Sequence, residues 1–342
     1  MRKCVVVLSL CLLLVPAAAA SATDAPMPGP GAADAAPEPP VRDLDAVVVS
    51  GVQPGPGLWK VSDGERVLWV LGTVSPLPKG IEWEARDVEA VLAQADELIW
   101  PPALAFNAEV GFFGGLRLLP KVLKARRNPD GATLREVLPP DLYARWQPLK
   151  RKYLGRGDGV EEWRPLFAAM ELYQEAIEDA GLRHGVVTPV LERAAKRYDV
   201  TQSRPQLKLV IADPKAALDE FRGTRLDDLE CFDRTLRRLE GDLDLMRQRA
   251  NAWAVGDVGT LRGLPDYDPR ETCLLATLET QVVKKRAPGD LKAQLRAQWL
   301  QAAERALAHN AVSFAVLPMG EVLRPDGYLA ALRAKGYAVE EP

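Results

Sequence analysis

Two histidines, His184 and His309, are the whole imidazole supply of this 342-residue chain. Metal ligation, general-base work and nucleophile activation all lean on that side chain. The inventory therefore argues against a histidine-rich metal centre. His184 sits in Leu182-Arg183-His184-Gly185 and His309 in Ala308-His309-Asn310. Both read as helix-end residues, where a cationic or polar side chain meets the negative end of the helix dipole, rather than as catalysts. The cysteines Cys4, Cys11, Cys231 and Cys273 do not have the spacing of a paired-cysteine zinc motif. Gly111-Phe112-Phe113-Gly114-Gly115 is glycine-rich but reads as lacking the strand-to-helix setting of a phosphate loop, and its Lys-Ser/Thr. No Gly-x-Ser-x-Gly nucleophile elbow occurs.

The elements that would have to position any chemistry are visible in the sequence periods. Leu58–Ser62 and Arg66–Gly72 read as two strands joined at Asp63-Gly64, a dipeptide suited to a tight hairpin. The second is apolar nearly throughout, as a strand buried inside a sheet must be. Residues 82–95 have helical spacing, with Trp83, Val88, Val91, Leu92 and Ala95 recurring, and 97–100 reads as a short strand closed by Pro101-Pro102. The middle is helical: Leu226, Leu229, Leu236, Leu239, Leu243 and Met246 form one stripe, and Leu291, Leu295, Trp299, Ala302 and Ala306 another. Such stripes are core faces far more often than cofactor sites. Val312–Leu317 reads as a strand, 325–335 as a helix closed by Gly336, and 337–340 as a final strand. Together these predict an α/β fold: a central mixed sheet built from N- and C-terminal strands, with a large helical section packed over it.

The first residues read as a secretory signal. Arg2 and Lys3 precede an apolar run from Cys4 to Val15, Pro16 follows, and Ala20-Ser21-Ala22 fits a small-residue cleavage site. The alternative is an uncleaved anchor, but the run falls short of the roughly 20 apolar residues that span a bilayer. Residues 1–22 are thus expected to leave, 23–46 to form a disordered Pro/Ala-rich leader, and 47–342 to fold as a single domain in the periplasm or outside the cell. Removing the signal takes two basic residues and no acidic one, leaving 42 basic against 47 acidic. That mild acidity gives no case for nucleic acid, and no later segment is apolar enough to span a membrane. Cys231 and Cys273 remain, and an even pair in an oxidising compartment predicts one disulfide; two separate buried thiols are the alternative.

Pro56-Gly57-Leu58-Trp59-Lys60-Val61 and Val67-Leu68-Trp69-Val70-Leu71-Gly72-Thr73 resemble the opening of the TraB/GumN family. The likeness recurs at Ala95-Asp96-Glu97-Leu98-Ile99, Trp253-Ala254-Val255-Gly256-Asp257, Phe314-Ala315-Val316-Leu317, Pro325-Asp326-Gly327 and Lys335-Gly336-Tyr337. The family includes the Tiki-type metalloproteases, and the resemblance implies an α/β fold with a metal site built from two Gly-x-x-His motifs and acidic residues. Carried across, the first motif falls on Gly72-Thr73-Val74-Ser75, with serine in the place of histidine. The acidic residue after the next strand falls on Pro101, and a further one near Gln202-Ser203. The second motif, counted back from Pro325, falls on Pro318-Met319-Gly320-Glu321, with glutamate in the place of histidine. Serine is a poor neutral ligand and proline offers no side-chain donor, so the expected metal and cofactor content is none. The reading is a non-catalytic binding or interaction protein of the bacterial envelope, its partner an unknown peptide or envelope protein. The alternative is a divergent hydrolase or metalloprotease rebuilt around Ser75 and Glu321, with Lys79 as a conceivable base for Ser75. No histidine is evidently positioned for that role.

Overall fold

The computed structural model describes residues 55–342 except 82, 109–111, 225, 242, 266–272, 274–277, 279 and 286–288. The signal and leader expected at 1–22 and 23–46 lie outside the described residues. The strands, in chain order, are β1 (Leu58–Ser62), β2 (Val67–Thr73), β3 (Leu77–Pro78), β4 (Glu97–Ile99), β5 (Ala103–Ala108), β6 (Leu182–Arg183), β7 (Thr201–Ser203), β8 (Gln206–Ile211), β9 (Val312–Pro318) and β10 (Ala338–Glu340).

Six of them form one mixed sheet in the order β10-β1-β2-β9-β4-β7. β1 and β2 are the expected hairpin. Asp63 closes it by accepting from the Glu65 and Arg66 amides, and Gly64 takes a φ of +111°. β2, β9, β4 and β7 are mutually parallel, while β10 lies antiparallel on β1. The N- and C-terminal strands thus share a sheet, as the pattern predicts. β9 is buried from Ser313 to Leu317 because a central parallel strand is covered on both faces.

Helices cover the sheet. Leu291–His309 packs on β2, β4 and β9, burying Trp299, Ala303 and Leu307. Its start is capped by Asp290, whose side chain accepts from the Ala293 amide. The sheet core holds Leu68, Val70, Leu98, Ile99 and Phe314, and the C-terminal helix Tyr328–Ala334 adds Leu329 and Leu332. That helix begins three residues later than the period suggests, at the residue after Gly327, and Gly336 beyond it has the left-handed φ of a C-terminal glycine.

A second core lies mainly between helices. Trp146 and Phe232, with ring centroids 5.4 Å apart, belong to it together with Leu172, Tyr173, Ile177 and Leu236. The stripe from Leu226 to Met246 divides into two helices, Leu229–Gly241 and Leu243–Ala254. Cys231 and Cys273 are bonded inside this core, with Cα atoms 4.8 Å apart, so the expected disulfide forms.

Two ribbons escape the sequence pattern: β3 with β6, antiparallel, and β5 with β8, parallel. β5 precedes the helix Phe112–Ala125, and residues 112–115 of the glycine-rich segment fall in the first turn of that helix rather than in a loop before it. Gly114 and Gly115 lie within that helix, and no Lys-Ser/Thr follows them. Among the described residues no helix is long and apolar enough to cross a membrane.

Candidate functional site

Open parallel sheets place their ligand sites in the crevice beyond the C-terminal ends of the strands. Here those ends are Thr73 of β2, Ile99 of β4, Ser203 of β7 and Pro318 of β9, with Thr73 and Pro318 directly paired. Four of the singled-out positions, Gly72, Thr73, Ser75 and Pro101, belong to the β2 and β4 ends, and Gly320 and Glu321 follow β9.

The frame is tightly fixed. Trp253, fully buried, donates its indole N–H to the Gly72 carbonyl at 2.7 Å. A Cβ on Gly72 would lie 2.7 Å from Met319 Cε and 3.3 Å from the Trp59 ring, so the residue that follows β9 packs where only glycine leaves room. A Cβ on Gly327 would lie 2.2 Å from the Glu321 carbonyl oxygen, which ties Pro325-Asp326-Gly327 to the turn carrying Glu321. Arg296 donates to the Gly327 carbonyl at 2.9 Å and holds the same corner from the long helix.

Between the ends of β2 and β4 lies a cavity of about 140 Å³. Val74, Leu77, Trp100, Pro101, Val187 and Leu191 make its walls largely apolar, and Thr73, Ser75 and Thr188 bring hydroxyls to it. Trp100 is held by its N–H donating to Gln202 Oε1 at 3.0 Å, and the Arg204 guanidinium stacks 4.6 Å over its ring. A larger hollow of about 1210 Å³ lies between Pro120 and Gly223, lined by charged residues that are partly paired with one another, such as Arg127 with Glu162. The smaller cavity is the better candidate, since it alone sits at the strand ends.

The two candidates for catalysis take different partners. Ser75 Oγ lies 2.9 Å from His184 Nδ1, and with Nδ1 unprotonated the serine hydroxyl donates to it. Glu321 faces Arg324 at 3.5 Å and Lys292 at 4.0 Å, and is not among the cavity's lining residues. Lys79 donates its ammonium to the Glu178 carbonyl at 3.4 Å.

His184 is the residue that sequence reasoning missed. It is half-buried rather than an exposed helix end, and its ring lies 5.9 Å from that of Tyr173. The β3–β6 ribbon explains its position: Leu77 pairs with Arg183 and Pro78 with Leu182, which carries the next residue, His184, toward Ser75. The signal was there in Gly181-Leu182-Arg183-His184-Gly185, where both glycines have φ near +70°. Two such glycines bracket a short extended segment rather than ending a helix. His309 is exposed in the last turn of Leu291–His309, as expected.

The TraB/PrgY/gumN family profile matches residues 57–341. The chain belongs to the TraB/PrgY/gumN family. No curated protein and no solved structure gives a significant match. The metal centre implied by the resemblance does not fit this member's donor set. A catalytic zinc needs about three side-chain ligands and an open position. The equivalent positions hold a hydroxyl that faces His184, a proline, and a carboxylate that faces two cations. Gln202 holds the Trp100 indole and Ser203 donates to Glu97. Among the described residues no group of three or more His, Cys, Asp or Glu is placed to hold a metal ion.

Proposed function

We propose that this TraB/PrgY/gumN protein is an exported, non-catalytic binding protein of the bacterial envelope, with the strand-end cavity as its recognition site. One observation carries the reading: Ser75 and Pro101 line an apolar cavity between the β2 and β4 ends, while Glu321 is not among its lining residues and faces Arg324 and Lys292. The cavity's volume is well below the 300–1,000 Å³ usual for small-molecule sites. It suits a single apolar side chain of a peptide or envelope protein, inserted against Trp100 and Leu77 with the Ser75 hydroxyl at its edge. Elemental analysis of the purified protein tests the metal-free half: well under one transition-metal ion per chain is expected, and about one zinc or manganese per chain overturns the proposal.

The Ser75–His184 contact favours a second reading, a serine hydrolase with His184 as base. Against it, the residue after Ser75 is Pro76, which has no N–H, so the oxyanion donor that commonly follows a nucleophile is missing. On a panel of activated esters, Ser75→Ala is expected to leave any slow hydrolysis unchanged. A loss of about a hundredfold or more would establish the hydrolase instead.

A further inference from the structure

The helix Phe112–Ala125 has an apolar stripe on the side that faces solvent. It packs on the helix Pro214–Gly223, with Ala125 buried and Gly115, Leu118 and Val122 half-buried. Leu116, Leu119 and Leu123, spaced by three and four residues, form a second stripe and are 60%, 51% and 46% exposed. A helix packed on a protein normally turns its polar face outward. Here the polar face is confined to a flank: Arg117, Lys121 and Lys124 lie beside the leucines, and the helix contains no acidic residue. Lys121 is held by Asp219 at 2.7 Å, while Arg117 and Lys124 are exposed. Arg126 and Arg127 follow directly.

We propose that this helix docks the protein onto an anionic lipid surface. Leu116, Leu119 and Leu123 enter the headgroup–acyl boundary, and Arg117 and Lys124 reach lipid phosphates from the flank. A leucine-rich face on a helix whose own charges are all cationic is the pattern of helices that lie in a bilayer interface, and Asp219 of the neighbouring helix is engaged by Lys121. Charge decides between a membrane and a second copy of this chain. Two copies joined through the stripe would bring the exposed Arg117 and Lys124 of both helices together, whereas phosphates complement them. The β5–β8 ribbon that leads toward the helix also exposes apolar side chains, Phe106 and Val210.

Flotation with phosphatidylcholine vesicles, with and without phosphatidylglycerol, tests the proposal on the protein as recovered after export. Three results are expected: binding only to the anionic vesicles, about tenfold or greater weakening in the Leu116→Ser/Leu119→Ser/Leu123→Ser variant, and a similar loss in Arg117→Glu/Lys124→Glu. The leucines contribute little to the core, so thermal melts of the variants should match the parent. Residues 1–50 are common to all three proteins and cannot account for a difference between them. Equal binding to both vesicle types, no binding to either, or unchanged binding by the leucine variant would overturn the proposal. So would a dimer in sedimentation velocity that the leucine variant dissociates.

Discussion

The sheet and the helical lobe hold themselves together by different means. Around the sheet, order comes from close approach: Met319 against Gly72, Trp253 on the Gly72 carbonyl, Gly327 under the Glu321 carbonyl. The two glycine contacts leave no room for a side chain, and the indole hydrogen bond ties the end of β2 to the helix behind it. The lobe instead relies on bulk burial around Trp146 and Phe232 and on one covalent staple between Cys231 and Cys273. The frame of the strand-end crevice is thus set by glycines and tryptophans, and not by Ser75, Pro101 or Glu321.

The largest effect that separates the two regions is expected from the disulfide. It joins residues 42 apart, and in the chain-entropy model a loop of that size is worth about 4 kcal/mol. Cys231→Ala/Cys273→Ala should therefore lower the urea midpoint of the lobe strongly. If a probe near Trp253 melts separately from one near Trp146, the regions are independent units; a single shared transition would show that the lobe sets the stability of the cleft. Next comes Gly72→Ala, which forces Met319 to move and should cost roughly 1–3 kcal/mol. Met319→Ala should recover part of that loss in the double variant. Simple additivity would mean that the two residues are not coupled, and the close-approach account of the sheet would fail.

The smallest effect is one of pH. Burial raises the Asp228 carboxyl above its ordinary value, against the pull of the Leu166 amide and Arg164. The folded state therefore holds that proton more tightly than the unfolded chain. The stability it contributes is fully present below about 3.9, the ordinary aspartate value, and is lost as the pH rises through the raised pKa. Asp228→Asn keeps an oxygen for the Leu166 amide and should remove this part of the slope. Denaturation curves of both proteins across the acid range measure it, and an identical slope in the variant would refute the assignment. Burial likewise raises Glu171 in the same lobe, whereas Asp233 is held below its usual value because Arg145 and Arg237 outweigh its burial. The difference between parent and variant isolates Asp228 from both.

The sequence disclosed most of the sheet, because apolar runs such as 67–72 and 312–317 have one physical explanation and end at clear turn residues. It disclosed the disulfide because only two cysteines remain beyond the apolar N-terminal run. It did not disclose the β5–β8 ribbon, because its strands are about a hundred residues apart, although β8 alternates strictly, with Gln206, Lys208 and Val210 exposed and Leu207, Leu209 and Ile211 turned to the protein. The same distance hid His184. Nothing local to Leu182-Arg183-His184-Gly185 says that it pairs with Leu77-Pro78, so a residue that looks like a helix end reaches the cleft by a contact across the fold. Motif spacing located Ser75, Pro101 and Glu321, but the direction of each side chain depends on partners such as Arg324 and Lys292 that no spacing rule reveals.

The order of strands also bears on when the protein can fold. β9 sits between β2 and β4, yet it lies far downstream of both in the chain, and Val67 pairs with Val312. Until that strand arrives, the β1–β2 hairpin and the β4–β7 pair have nothing to join them. Pairings so distant along the chain are slow to form. Joining the two halves of the sheet is therefore the step that this strand order delays.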